Sequence, residues 1–321
     1  MSYLVTGATG FIGTNIVEQL TNAGESVIAF SNVIPSARQR QLSEGRKLVF
    51  IEGDVRDQKT LEEIISTYDV RRMIHAAVVT SNAEREQSNG PMIIDVNLVG
   101  AAAAATAAAN RRLERFVLVG SAGVFSAHNL PNGMIVEETH PQHVDTLYGI
   151  GKAAAEVIVS RICTLNGLSY VIGRVATAFG PWEHDTGYRD TLSPIYQLTR
   201  MAVTGKSAVL PRDKKNNWHY GRDAAAALIT LARSPNELHF QDYNLGPSFV
   251  WPISEWCIRL ADRFPGFRFE FREEGNIELY GANDGGILSS TRFSEEFGPT
   301  ARFNVDAAFN DFMAWLEHNQ P

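Results

Sequence analysis

The sequence predicts an α/β protein built on a doubly wound parallel sheet, with a smaller C-terminal substrate lobe. Three observations carry that expectation. Through the first two thirds of the chain, short runs rich in β-branched and aromatic residues alternate with stretches of helical periodicity. That order sets parallel strands side by side and puts crossover helices on both faces. The first of these runs leads directly into a glycine-spaced turn that opens a helix. The chain has 321 residues, 44% hydrophobic and 20% charged, with 26 Gly and 13 Pro. It is long enough for a large core and too apolar for disorder.

Candidate strands are 3–6, 26–30, 47–52, 73–77, 115–119 and 169–172, and the helical patterns between them are 12–23, 59–68, 96–112 and 147–165. Within 96–112 the run from Gly100 to Ala109 is nearly all alanine, the best helix former and the residue that lets helices approach closely. A packed helix is expected there, at a dimer interface with 147–165, whose Ala154 and Ile158 would face Ala103 and Ala107 across a two-fold axis. From Phe179 onward Gly180, Pro181, Gly187 and Pro194 interrupt the pattern, and shorter elements follow, including 267–271 and a terminal helix at 305–318. The expected division is a dinucleotide-binding domain at 1–178 and, mainly, a substrate lobe at 179–321, with some segments returning to the first domain.

The turn after the first strand reads Thr6-Gly7-Ala8-Thr9-Gly10-Phe11-Ile12-Gly13. Gly7 serves the tight turn, Gly10 the close approach of a pyrophosphate, and Gly13 the packing of helix on strand, while the helix N-terminus offers amides and a positive dipole end. This is the dinucleotide cradle of a Rossmann sheet. At the end of the second strand an acidic residue normally accepts hydrogen bonds from the adenosine ribose, but this chain has Ser31 and Asn32, followed by Arg38 and Arg40. The cofactor is therefore NADP or NAD, with the arginines favouring NADP. Asp54 and Val55 at the end of the third strand suit an adenine contact.

Tyr148 and Lys152 stand four residues apart at the start of a helix, hence on one face. A nearby ammonium stabilises a phenolate, which lets such a pair exchange a proton near neutrality. Ser121 follows the strand 115–119, at the carboxyl edge where open α/β sheets bind ligands, and can hydrogen-bond the oxygen that Tyr148 protonates.

Taken together, the chain resembles the extended short-chain dehydrogenase/reductase superfamily, in particular its NAD-dependent epimerase/dehydratase branch. The resemblance rests on the ordered series TGATGFIG, GDV at Gly53, HAA at His75, Asn97 in a helix, GSAGVF, EETHP ahead of Tyr148, and YxxxK. It continues with Arg174 before Gly180-Pro181, Trp218 to Asp223, Ser290-Thr291-Arg292 and Phe297-Gly298-Pro299. It implies Tyr148 as acid/base, Lys152 on the nicotinamide ribose, Ser121 positioning substrate, and Ala76, Ala77 and Asn97 among the cofactor-binding residues. Thr80, Gly123, Thr177 and Trp218 join Ser121 as substrate-side candidates.

The departures narrow the chemistry. Relatives that dehydrate or decarboxylate carry an acid just after the catalytic hydroxyl, where this chain has Ala122 and Gly123. Thr177 replaces the asparagine typical of sugar-nucleotide epimerases, and Asn216 replaces the arginine that clamps a substrate diphosphate, unless Arg212, Lys214, Lys215 or Arg292 compensates. A smaller substrate follows: a sugar acid, sugar, hydroxy acid or ketone. In the 180–190 loop His184, Tyr188 and Arg189 can grip a carboxylate. The expected function is hydride transfer between NAD(P) and such a substrate. The alternatives are a nucleotide-sugar epimerase with retained NAD and, third, a non-catalytic dinucleotide sensor.

Other partners are not expected. Lys plus Arg number 29 against 36 acidic residues, a formal charge of -7 with no dense basic run, so nucleic acid is an unsuitable partner. No unbroken run of about 18 apolar residues and no leader-like start are visible, which suggests a cytoplasmic protein off the membrane. Cys163 and Cys257 read as small core residues. The eight histidines form no metal-spaced group, so no metal is expected. His75 reads as capping a strand end, His219 as lining the pocket, and Trp182 and Trp218 as possible stacking partners for a ligand.

Overall fold

The computed structural model describes residues 1–125, 133–135, 142, 144–235, 237–280 and 284–318. The EETHP stretch at 137–141 lies outside the described residues. Seven strands form the central sheet: β1 (Ser2–Thr6), β2 (Ser26–Ser31), β3 (Leu48–Glu52), β4 (Arg72–His75), β5 (Arg115–Ser121), β6 (Tyr170–Val175) and β7 (Asp242–Leu245). They pair in parallel in the order β7-β6-β5-β4-β1-β2-β3. The order reverses between β1 and β4, and at such a switch point the loops leave in opposite directions and open a crevice at the carboxyl edge.

Helices cover both faces. α1 (Phe11–Asn22) is followed by α2 (Ala37–Gln41), α3 (Gln58–Thr67), α4 (Ala83–Ile94), α5 (Gly100–Asn110), α6 (Leu147–Asn166), α7 (Pro194–Val203) and α8 (Gly221–Arg233). α1 packs on α8 over one face, where Ile16, Leu20, Leu228 and Leu231 meet Val5 and Val117. α3, α5 and α6 cover the other, where the alanines of α5 pack on Leu61, Phe116 and Val159. Side chains at the helix starts satisfy otherwise orphaned amides: Asp57 accepts from Thr60 N, Asn82 from Arg85 N, Thr146 from Gly149 N and Ser193 from Tyr196 N. α6 stops at Gly167, which takes the left-handed conformation at φ 63°.

The helix expected at 96–112 is longer than its pattern suggested. α4 runs into a π-helical turn (Asp95–Val99) and then α5, despite Pro91 within α4 and the non-helical Asn89. By length and composition, 83–110 is long and apolar enough to cross a membrane. Here it is a core helix, packed against α3 and α6.

Beyond 179 the chain contributes to both layers, since α8 and β7 belong to the sheet domain. α10 (Thr291–Phe297) packs on β7 through Phe293 and Phe297, and the remainder, with α9 (Ser254–Arg263) and α11 (Val305–His318), surrounds an aromatic core. Trp256 meets Phe179 edge-on at 5.3 Å and Phe309 at 5.0 Å. Trp218 lies within this core at 2% exposure and donates its indole N–H to Trp251 O, so it is a packing residue and not a substrate contact. The neighbouring His219 is fully buried as well and is not among the residues lining the sheet-edge cavity; burial pushes its imidazole down to about 4. Trp182 packs on Trp315 at 5.3 Å and donates to Glu18, and it is not among the residues lining the sheet-edge cavity. Cys163 and Cys257 are free and buried, their thiols pushed up to about 12 by desolvation.

Candidate active site

A cavity of about 640 Å³ lies along the carboxyl edge of the sheet, within the range of cofactor and ligand pockets. The glycine turn forms one end. Gly7 has φ 63°, and a Cβ there would stand 2.7 Å from Ala77 Cα; a Cβ on Gly13 would stand 2.1 Å from Gly7 O. Only glycine permits these approaches. Gly10 caps α1 without a side chain, and the first turn carries no acid, so the α1 amides face the cavity free for phosphate oxygens. Gln39 Nε2 ties the turn from behind, donating to Thr9 O and Thr14 Oγ1, each at 2.8 Å.

Gly7, Thr9, Gly10, Phe11, Ile12 and Gly13 all line this end, and Ser31, Asn32, Asp54, Val55, Ala76 and Ala77 continue its wall. The Ser31 hydroxyl is shared with Thr9 Oγ1 at 2.8 Å. Asp54 is gripped by Arg56, whose Nε donates at 2.9 Å, and that guanidinium holds the carboxyl below its usual range. Two cofactor candidates are absent from the wall. Arg38 sits on α2 outside the cavity, as does Arg40. Asn97 is buried behind the wall, where its amide accepts from Val79 N at 2.7 Å and donates to Val79 O at 2.9 Å, fixing the segment after β4.

At the other end Ser121, Tyr148 and Lys152 meet. β5 ends at Ser121, and α6 presents Tyr148 in its first turn and Lys152 one turn on. Ser121 hydrogen-bonds the Tyr148 side chain and accepts from Gly123 N at 3.0 Å. Burial pushes the Tyr148 phenol up, while the Ser121 hydrogen bond and the charge of Arg189 pull the other way. This differs from the expectation that Lys152 tunes the phenol. Lys152 is 5% exposed, and its ammonium needs an acceptor, so Nζ donates to Val119 O at 2.9 Å. Burial lowers this lysine to about 8, opposed by the charge of Glu156. His75 beside it is pushed down to about 3, mainly by burial, and its Nδ1 shares a hydrogen bond with Thr6 Oγ1 at 2.9 Å at the strand end.

The lobe side of this end is closed by the 180–193 segment. Thr80 N donates to Tyr188 O at 2.9 Å and Asp190 N to Thr80 O at 3.1 Å, which draws Tyr188 and Arg189 into the wall with Thr80, Gly123, Thr177 and His184. Thr177 and Asn216 meet directly: Asn216 Nδ2 donates to Thr177 Oγ1 at 3.1 Å. Tyr280 also lines the cavity, and Glu183 lies behind it; neither was singled out from the sequence, and their only signal is spatial. Among the described residues no three His, Cys, Asp or Glu side chains converge as a metal site would require.

The lysine yields a pH prediction. Its folded value near 8 lies below the ordinary 10.5, so the folded chain holds the proton less tightly than the unfolded one. That penalty, about 3 kcal/mol, is complete below pH 8 and fades as pH rises from 8 to 10.5. Lys152→Met, similar in volume and uncharged, is expected to unfold at higher urea concentration than the parent at pH 7, with the gap narrowing by pH 10. A less stable variant at pH 7 contradicts this account.

Comparison with known proteins agrees with this geometry. The NAD dependent epimerase/dehydratase family model matches residues 3–246. A putative UDP-glucose 4-epimerase of Methanocaldococcus jannaschii is 28% identical over 98% of both chains, and a low-salt glycan biosynthesis protein of Haloferax volcanii is 26% identical over 98% of this chain and 93% of its own. In fold, an epimerase from Methanothermobacter thermautotrophicus superposes with TM-score 0.84 at 20% identity over 99% of this chain and 92% of its own. A dTDP-glucose 4,6-dehydratase from Bacillus anthracis, solved with NAD, gives 0.82 at 18% identity over 100% and 97%. With its glycine cradle, its Rossmann strand order and its Ser121, Tyr148 and Lys152 set, the chain belongs to the NAD-dependent epimerase/dehydratase family of the extended short-chain dehydrogenase/reductases and is an NAD(P)-dependent enzyme.

Proposed function

We propose that the protein transfers a hydride between NAD(P) and the carbinol or carbonyl carbon of a small oxygenated substrate: a sugar acid, sugar, hydroxy acid or ketone. The observation that carries this reading is the convergence of Ser121, Tyr148 and Lys152 on one cavity with the glycine cradle. The cradle fits a dinucleotide, because space that a Cβ would fill is kept open at Gly7 and Gly13 and the α1 amides are uncapped. Bound nicotinamide supplies the hydride acceptor or donor. Tyr148 takes the hydroxyl proton in oxidation and returns it in reduction, Ser121 orients the substrate oxygen, and Lys152 holds the ribose side.

Loss of a group through acid assistance next to Ser121 is disfavoured, since a side chain at Gly123 would meet the Tyr148 ring at 3.2 Å. A second reading, epimerisation of a nucleotide sugar with retained NAD, is supported by the name of the relative matched over 98% of both chains and by that of a relative matched over about half of each. Against it stands the Asn216–Thr177 contact, which offers no cation to a diphosphate. Nicotinamide absorbance across a panel of hydroxylated substrates separates the two: net change supports the first, an epimerised product without net change the second. Tyr148→Phe is expected to keep cofactor affinity and lose about 10² to 10⁴ in turnover. Near-normal turnover would remove Tyr148 from the chemistry and favour a sensor.

The finer cofactor reading is NADP, on narrower grounds than the sequence offered. Ser31 and Asn32 carry no charge to repel a 2′-phosphate, but Arg38 and Arg40 lie off the wall. NADP is expected to bind no more weakly than NAD. Ser31→Asp should weaken NADP by at least about tenfold, roughly 1.4 kcal/mol, and spare NAD; equal affinities in that variant refute the reading.

A homodimer is proposed through α6 and the turn before α5. Ala103 and Ala107 are buried within the chain's own core, so they do not form the contact. Val99, Ile150, Val157, Ile158 and Leu165 remain exposed, Val157 at 66%. Light scattering is expected to give twice the 35.4 kDa chain mass, and Val157→Arg to shift it towards one. A monomeric parent at micromolar concentration contradicts this.

A further inference from the structure

Two arginines, Arg174 buried and Arg189 half-buried, are held in different ways. Arg174 on β6 is saturated: Nε and Nη2 donate to Glu156 at 3.0 and 2.8 Å, and Nη1 donates to Asp242 at 2.9 Å. It is absent from the cavity wall. Arg189 is on that wall and is held on one side only. Nη2 donates to Glu183 Oε1 at 2.8 Å and to Tyr280 Oη at 3.3 Å. Nε is buried without a partner, and Nη1 donates to no described residue.

The support behind Arg189 is rigid. Glu183 has no exposed side-chain surface, against 20% for Arg189, and accepts from Ser193 N and Ser193 Oγ, both at 2.6 Å. Tyr280 Oη in turn donates to Thr191 O at 3.0 Å. The guanidinium carbon stands 5.3 Å from the centroid of the Phe11 ring, and the 188–190 backbone is bonded to Thr80. A half-buried guanidinium on a ligand cavity, with one carboxylate partner, Nε buried and unpaired and Nη1 unused by any described residue, lacks an acceptor that the described chain does not supply.

We propose that Arg189 is the anion receptor of this site and takes a carboxylate of the substrate, so that the substrate is a hydroxy acid or sugar acid whose reacting carbinol lies at Tyr148. The planar fork of one guanidinium matches one carboxylate. A diphosphate would bring two charges to this single cation, since Asn216 is engaged with Thr177. Arg189 also acts on Tyr148 by charge, while its guanidinium lies over Phe11 of the glycine turn, so it is near both ends of the cavity. The inference rests on the reading of Tyr148 as the acid/base, and its test separates the two.

The test uses full-length protein loaded with NAD or NADP and matched pairs of acid and neutral compounds: glucuronate with glucose, galacturonate with galactose, and gluconate with glucitol. Binding is followed by calorimetry and turnover by nicotinamide absorbance, with UDP and dTDP as further ligands. At least one acid is expected to bind ten times or more tighter than its neutral partner. Arg189→Gln should abolish that preference, chiefly through KM, and Arg189→Lys, which keeps the charge but not the fork, should restore part of it. Arg189→Gln should lower the melting temperature by leaving Glu183 without its cation, and a melt that stays cooperative with unchanged cofactor affinity in both variants shows that the fold and cradle are intact. Tyr148→Phe should keep the acid preference while losing turnover; if it turns over normally, the acid/base reading fails and the receptor stands. Three results overturn the proposal: no acid preference anywhere in the panel, micromolar UDP or dTDP binding that Arg189→Gln removes, or an Arg189→Gln defect in cofactor binding alone.

Discussion

The site depends on a backbone-to-backbone approach at the point where the sheet reverses its order. Gly7, between β1 and α1, packs so closely on Ala76 and Ala77, beyond β4, that even one methyl group would overlap backbone atoms. Gly13 then lets α1 lie on the same turn. This contact aims the α1 amides along the carboxyl edge and fixes one end of the crevice. At the other end Ser121 and the α6 pair are set by equally local means, a strand terminus and a Thr146 cap. The two ends are rigid because each hangs on the same parallel sheet.

Buried charge marks where the scaffold ends and the substrate side begins. Arg174, Glu156 and Asp242 tie β6, α6 and β7 together with every guanidinium donor group engaged. Such a network strains neither member, because each charge meets a partner and hydrogen bonds fill the remaining positions. Glu183 and Arg189 share the partnership but not the completeness. Glu183 is pushed up by burial and pulled down chiefly by Arg189, whereas the arginine keeps unused donors beside the cavity. The first network serves the fold, and the second leaves part of its hydrogen-bonding capacity to a ligand.

The parts of this molecule that repeat a local rule were legible in the sequence, and the parts made by distant chain were not. The six strands of the first domain, the glycine cradle and the Tyr148–Lys152 spacing each follow from neighbours within a few residues. α4 is not among the helical patterns that the sequence shows, because Gly90 and Pro91 interrupt its periodicity, whereas tertiary packing carries the helix through Pro91 and the π turn into α5. Trp218 is a substrate-side candidate only through the resemblance and its aromatic ring; the parallel pairing of Trp218–Tyr220 with Thr177–Phe179 turns it into the lobe core. Tyr280 reaches Arg189 across 91 positions, a separation that no spacing rule covers.

In the proposed reaction the state of the α6 pair matters, and desolvation moves both side chains towards their neutral forms, Tyr148 upward and Lys152 down to about 8. Oxidation needs the phenol to give up its proton, so the balance rests on cations close to it. Arg189 is one, and a carboxylate seated on its open side would cancel much of its effect on Tyr148 while the acid is bound. The phenol would then keep its proton more firmly and serve better as a donor to a carbonyl oxygen than as an acceptor from a hydroxyl. Lys152, freed from Val119 O only by a better acceptor, becomes the cation that must offset this for oxidation to proceed. The direction of hydride transfer is thus tied to how Lys152 and Arg189 share the negative charge that enters the cavity.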